Sequence, residues 1–434
     1  MSRYYLWTIG CQMNAADAAR TRHGLESMGF SRTTNPPDAD VLVLITCVVR
    51  QRAEDRVIGH LSSLKSPRLR NAGALLIVMG CFVDDQCALH VRFPYVDALL
   101  QPSDVEGLLR VVELRSSIAA PRARPVATPE RVVSALVPVS EGCDHQCTYC
   151  IVRLRRGQQC SRPLPDIVEE VQDWVERGAR EVTLLGQNVD AYGRDWEPPA
   201  ADLADVLRSV HSIEGLMRIR FLTSHPGDMT SRVVQAVADL PRVCPHFELP
   251  VQSGHDVVLR RMGRRYTIAA YRALIADIRQ RVPGCSIVTD VIVGFPGETA
   301  AQFQATYDLL SELRFDAVHI AKYSARPGTP AAQLDDDVPS GEKERRRSLL
   351  EELQARIAGD VNAAILHSNV EVLVEGRRRG RWMGRTETNK LVFFEDTADR
   401  RGQLVDVRVL WTGPWSLVGE PADCRRNSVT GELE

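Results

Sequence analysis

Glu141-Gly142-Cys143-Asp144-His145-Gln146-Cys147-Thr148-Tyr149-Cys150 places three thiols in a Cys-x3-Cys-x2-Cys spacing. An apolar run at 135–139 leads directly into it and reads as a strand. Further strand-like runs follow at 181–185, 218–222, 246–250, 286–293 and 317–323, with helical patterns such as 165–177 and 268–281 between them. Six such units predict a full or partial α/β barrel. Most of these strands run into a Gly-rich or polar turn: Glu141-Gly-Cys, Gly186-Gln-Asn, Thr223-Ser-His-Pro, Gln252-Ser-Gly and Gly294-Phe-Pro-Gly. In a barrel those turns share the C-terminal face, where active sites lie.

Three thiolates so close in sequence can wrap one compact metal centre, and ligation by cysteine alone suits an iron–sulfur cluster. A four-iron cubane held by three cysteines keeps one iron open to a substrate. A structural zinc site needs four ligands. His145 is the available fourth, but with cysteines closely flanking it such a tight loop would be strained.

The first 110 or so residues repeat a different pattern, in which an apolar run ends in a cysteine and a helical stretch follows. The runs are Tyr4-Tyr-Leu-Trp-Thr-Ile-Gly-Cys11, Val41-Leu-Val-Leu-Ile-Thr-Cys47 and Ala74-Leu-Leu-Ile-Val-Met-Gly-Cys81. Continuous apolar strands alternating with helices predict a parallel sheet covered on both faces. Ligand sites in such sheets lie beyond the carboxyl ends of the strands, where all three cysteines fall. Position alone leaves two readings open: small buried thiols, or a second cluster.

The rest of the chain bounds the answer. It has 434 residues, enough for two or three domains, with 44% hydrophobic and 25% charged residues, as in ordinary globular proteins. The formal net charge is −2, so nothing in the overall balance announces a nucleic-acid binder. No run approaches the roughly 20 apolar residues of a membrane span, and no signal peptide is evident, so a cytoplasmic protein with no membrane partner is expected. Eleven cysteines is an odd count, which speaks against a disulfide scaffold. Cys87, Cys160, Cys244, Cys285 and Cys424 show no spacing pattern and read as ordinary small apolar residues. A Pro-, Ala- and Arg-rich stretch at about 116–130 reads as a linker. A charged helix is expected from 340 to about 363. Short alternating strands at 370–374, 390–394 and 404–410 then predict a small all-β domain, followed by a polar, mobile tail after 420. Gly376-Arg-Arg-Arg-Gly-Arg-Trp-Met-Gly-Arg385 sets five arginines beside a tryptophan, which suits RNA backbone and base stacking or else a solvated hairpin.

The cluster spacing at the end of the first barrel strand resembles the radical S-adenosylmethionine superfamily. More motifs narrow the resemblance: Thr8-Ile-Gly-Cys-Gln-Met-Asn14, Thr46-Cys47, Met79-Gly-Cys81, Ser161-Arg-Pro163, Gly186-Gln-Asn-Val189, Pro250-Val-Gln-Ser-Gly254 and Tyr323-Ser-Ala-Arg-Pro-Gly-Thr-Pro330. Together they resemble the methylthiotransferases over nearly the whole chain. Val374-Glu-Gly376 with Gly384-Arg-Thr-Glu-Thr-Asn389 resembles the TRAM domain, a small β-barrel associated with RNA binding.

The resemblance implies an N-terminal parallel α/β domain (1–115), a central partial α/β barrel (129–360) and a C-terminal TRAM barrel (362–423). It implies two 4Fe-4S clusters, one on Cys11, Cys47 and Cys81 and one on Cys143, Cys147 and Cys150, the latter binding S-adenosylmethionine. It further implies that one S-adenosylmethionine methylates a sulfur and another yields the radical that removes hydrogen from the target carbon. Gly186, Gln187, Asn188 and Gly294 are expected near S-adenosylmethionine, and Arg385 and Asn389 near RNA. No acid–base pair is nominated, because an aromatic C–H is too weakly acidic for a base with pKa near 7. Gly10-Cys-Gln-Met-Asn14 is similar to the branch that modifies isopentenylated adenosine beside the tRNA anticodon. Related branches act on threonylcarbamoyl-adenosine or on an aspartate of a ribosomal protein. The implied partners are a tRNA anticodon stem-loop, a reducing electron donor and a sulfur donor, with the protein acting as a monomer. The rival from another class is an iron–sulfur redox sensor that binds RNA. Arg153 and Val48 depart from the family pattern, where Pro and a small polar residue are usual.

Overall fold

The computed structural model describes residues 2–66, 73–116, 132–198 and 200–422. The expected linker and polar tail, with Cys424, fall largely or wholly outside them.

The N-terminal unit is a five-stranded sheet whose inner strands are Arg3–Thr8, Val41–Thr46 and Leu75–Gly80, paired in parallel as neighbours. Every residue of the latter two is buried, because helices cover both faces. Leu42 and Leu44 pack into one core layer, and Val41, Val43 and Ile45 into the other. That two-sided burial is what the uninterrupted apolar runs encode.

Six parallel strands follow in the central unit. Ser134–Pro138, Glu181–Leu185 and Arg218–Phe221 form one group, and His246–Glu248, Ser286–Val293 and Ala317–Lys322 the other. A parallel bridge between Ile219 and Val243 links the two. Among the described residues the first and last strands do not pair, so the barrel is partial and has an open side. Alternation sorts the faces. Ala135, Val137, Phe247, Leu249, Ile287 and Val318 pack against the surrounding helices. Leu136, Glu248, Asp290 and His319 therefore point to the lumen. The helix Gln12–Ser27 of the N-terminal unit reaches this lumen and buries Met13 and Ala16 against Leu136, Leu185 and Leu222.

The long helix Ser340–Ala363 lies as expected, and a closed five-stranded barrel follows it. Two of its strands, Arg381–Thr386 and Leu417–Pro421, were not foreseen. The arginine-rich segment is the hairpin of Asn369–Arg378 with Arg381–Thr386. Arg218 and Arg220 fasten this barrel to the central unit. Arg218 donates to the carbonyls of Arg385 (2.6 Å) and Glu371 (3.1 Å), and Arg220 to those of Thr386 (2.7 Å) and Glu387 (2.8 Å). No helix among the described residues is long and apolar enough to cross a membrane.

Candidate active site between two cysteine triads

Cys11, Cys47 and Cys81 each follow the end of one of three adjacent strands. Their loops are packed too closely for ordinary side chains. Gly10 has φ +132°, and a Cβ there would lie 2.5 Å from Cys47 Cβ and 3.1 Å from its Sγ. Gly80, before Cys81, has φ +116°, and its Cβ would lie 2.5 Å from the Thr46 carbonyl oxygen. Only glycine adopts such a backbone with that clearance. Asn14 donates to the carbonyls of Ile9 (2.8 Å) and Thr46 (2.9 Å), so it clamps the first two loops together.

Arg156 joins this triad to the other. It lies in the short helix Val152–Arg156, just past Cys150, and donates to Asn14 Oδ1 (2.9 Å) and Ser103 Oγ (3.0 Å). Burial pushes the Cys47 thiol up to about 11 and raises Cys81, whose shift the Arg156 charge opposes. Arg326, from the 323–330 motif, donates to the Val48 carbonyl (3.3 Å) and to Gln51 (3.4 Å), so it braces the loop after Cys47. Val48 itself is buried.

Cys143, Cys147 and Cys150 are half-buried on the loop past the first barrel strand. Burial raises the Cys143 thiol and takes Cys150 to about 11. Arg264 is buried beside them, with Nη1 3.7 Å from Cys147 Sγ. Arg153 is half-buried and donates to the Asp144 carbonyl (3.3 Å). His145 turns away from its neighbouring cysteines. It stacks on His225 at 3.8 Å and donates through Nε2 to Asp228 (2.5 Å). Asp228 also accepts from Asn188 (2.6 Å) and from Arg194. Burial works to raise the Asp228 carboxyl, but the His145 and Asn188 hydrogen bonds outweigh it and hold it below the usual carboxylate range. Burial pushes His225 down to about 3. Its Nδ1 accepts from Gly227 N–H, so the proton sits on Nε2, a buried donor with no hydrogen-bond partner.

Two of the expected cofactor contacts are unsatisfied in the way a missing ligand leaves them. Gln187 Oε1 and Asn188 Oδ1 are buried acceptors without a donor. Gly186 packs against Ser140 and its carbonyl accepts from Thr223 (2.6 Å). Gly294 is more enclosed: its N–H goes to Glu298 (2.6 Å), and the Lys343 stem lies where a Cβ would be. In the C-terminal barrel Arg385 pairs with Glu375 (3.4 Å) and donates to Asn389, whose side chain lies 3.5 Å from His246. Of the unpatterned cysteines, Cys244 is buried as expected. Cys87 and Cys160 are exposed, on the open face of a short helix and at the edge of a two-residue ladder.

Sequence reading missed Arg156, Arg264, Asp228 and a lumen group, Glu248, Asp290 and His319, whose ligand atoms lie within 4.8 Å of one another. The motif Thr223-Ser-His-Pro carried a signal for His225; the others stand outside any local pattern.

Each donor set fits an iron–sulfur cluster. The thiols of each triad lie near enough to repel one another as thiolates, and a buried guanidinium, Arg156 or Arg264, stands beside each triad to offset negative charge.

Six parallel strands carrying a three-cysteine loop at their carboxyl end define a radical S-adenosylmethionine enzyme. Residues 137–310 match the Radical SAM superfamily, 3–101 match the uncharacterized protein family UPF0004, and 367–422 match the TRAM domain. The radical S-adenosylmethionine methyltransferase TsrM of Kitasatospora setae shares the fold, with a TM-score of 0.55 over 76% of this chain and 75% of that one, at 14% identity. The tRNA-2-methylthio-N(6)-dimethylallyladenosine synthase of Roseiflexus sp. is 48% identical over 96% of this chain and 89% of its own length. That of Chloroflexus aurantiacus is 46% identical over 96% and 91%. The chain belongs to the tRNA-2-methylthio-N(6)-dimethylallyladenosine synthase family. Membership in the superfamily implies a 4Fe-4S cluster and S-adenosylmethionine.

Proposed function

We propose that the protein attaches a methylthio group to carbon 2 of adenine in isopentenylated adenosine beside the tRNA anticodon, using two S-adenosylmethionine and two 4Fe-4S clusters. Cys143, Cys147 and Cys150 would hold one cluster, and Cys11, Cys47 and Cys81 the other. When bound, these groups supply one-electron chemistry for an unreactive aromatic C–H and a sulfur to attach to it.

The observation that carries this reading is Arg156. One buried guanidinium belongs to the cluster loop of the barrel and is bonded within the N-terminal triad, so the two sites are built as one unit. A single-cluster radical generator has no use for the second triad.

The chain's own residues have defined tasks. Gln187 and Asn188 offer unpaired acceptors suited to an ammonium group. Asp228 locks His145, between two cluster cysteines, to Asn188, and so fixes the loop relative to the cofactor contacts. Met13, Leu136 and Leu222 form an apolar wall that keeps water from that part of the lumen, which protects a reactive centre. Arg385, about two-fifths exposed, contacts RNA, and Asn389 holds it. The functional units run 1–115, 129–360 and 362–423. The protein works as a cytoplasmic monomer that draws on a reducing electron donor and a sulfur donor.

The test is an anaerobic incubation with S-adenosylmethionine, a reductant and isopentenylated tRNA. Release of 5′-deoxyadenosine together with methylthiolated nucleoside is expected. Clusters without any turnover of S-adenosylmethionine would mark a redox sensor and overturn the reading.

A further inference from the structure

A cleft of about 660 Å³ is bounded by all three units of the chain. This volume lies within the range of about 300–1,000 Å³ typical of ligand sites. Arg50, three residues past Cys47, contributes from the N-terminal unit. His319 lies on the free edge of the last barrel strand. Glu351 and Glu352 line it from the long helix, and Trp415 from the turn before the last C-terminal strand.

Three features give this cleft a direction and a chemistry. His319 is shared between the cleft and the lumen, where its ring meets Glu248 and Asp290 within 4.8 Å. The cleft therefore leads into the open side of the barrel. Trp415 is 62% exposed and does not belong to the closed core of its own domain. Its turn is nevertheless held, because Asn362 donates to the carbonyls of Gly413 (2.8 Å) and Pro414 (3.3 Å). An exposed indole on a fixed turn is a stacking platform with little ordering cost. The charges then separate base from backbone. The Glu352 carboxylate, and that of Glu351 although it is paired with Arg347, repel phosphate but accept hydrogen bonds from exocyclic amino groups, while Arg50, contributed by the N-terminal unit, suits a phosphate.

We propose that an unpaired base of the RNA substrate's loop stacks on Trp415 in this cleft, with Arg50 on the adjoining backbone, beside the nucleotide that enters the barrel. The inference rests on the RNA-modifying reading above and adds where the loop is gripped. It places the base contact on the Trp415 turn, apart from the Arg385 hairpin.

The experiment measures binding of a fluorescent RNA stem-loop, with isopentenyladenosine in its loop, to the full-length, cluster-loaded protein at one fixed salt concentration. Trp415→Ala should weaken binding roughly 5- to 100-fold, the worth of one stacked base. Trp415→Phe should stay within about threefold of wild type, because the stacking surface remains. A blunt RNA duplex without a loop should bind wild type and Trp415→Ala alike. Thermal unfolding of Trp415→Ala should match wild type, since the side chain is largely exposed. Wild-type binding that Trp415→Ala leaves unchanged overturns the inference, as does an equal loss on the duplex. Failure of the wild type itself to bind the stem-loop overturns the underlying reading instead.

Discussion

Gly10 shows how a residue without chemistry decides a site. Its backbone conformation and the 2.5 Å clearance to Cys47 leave no room for a methyl group. Gly10→Ala should therefore push apart the loops of Cys11 and Cys47 and spare the barrel triad, which sits on a loop of its own. Reconstituted protein should fall from about eight irons per chain to about four, the content of one cubane; eight irons in the variant would contradict the clearance argument. Beside His225, His246 carries one share of the pH dependence. Burial, with Arg220, Arg385 and Lys390 nearby, lowers it to about 3 from an ordinary value near 6.5. A depressed imidazole is neutral in the folded state and takes up a proton on unfolding. Its contribution is full above pH 6.5 and drains away as pH falls toward 3. Between pH 6.5 and 5 the loss is about 2 kcal/mol. Denaturant titrations of wild type and His246→Gln at the two pH values should differ in their pH dependence by about that amount. An unchanged slope in the variant would remove His246 from the account.

At the scale of elements, the joint between the two barrels is the most exposed to test. Arg220 is buried, pairs with buried Glu181 at 2.8 Å and reaches two carbonyls of the C-terminal barrel. Arg220→Met leaves Glu181 buried and unpaired, a change that costs about 3–5 kcal/mol. Limited proteolysis should then release the C-terminal barrel faster than in wild type, and equal rates would show that the joint lies elsewhere. The same joint explains what the sequence displays poorly. The strands with two buried faces are plain in the sequence, since 41–45 and 75–79 are unbroken apolar runs. Arg381–Thr386 carries Arg381, Met383 and Arg385 on its outward side and a buried glycine between Trp382 and Thr386, so its alternation emerges only once the barrel closes around Trp382. Leu417–Pro421 ends in proline and pairs in parallel with Leu391–Phe394, a partner that no local turn announces.

For the whole molecule, the six cysteines were legible because each ends an apolar strand or falls in a tight local spacing. The contacts that dock the N-terminal unit on the barrel were not. Arg156 bonds to Asn14 across 142 positions, and Arg326 reaches Val48 across 278. Such pairings depend on how units dock, and neither periodicity nor composition encodes docking. They convert two separate cysteine sites into one. The central claim is that this joined site puts sulfur on isopentenylated adenosine. The direct measurement is mass analysis of tRNA nucleosides from cells with and without the gene. The account predicts that methylthio-isopentenyladenosine disappears and isopentenyladenosine accumulates in its place. Unchanged tRNA nucleosides, with the modification lost from a ribosomal protein instead, would contradict it.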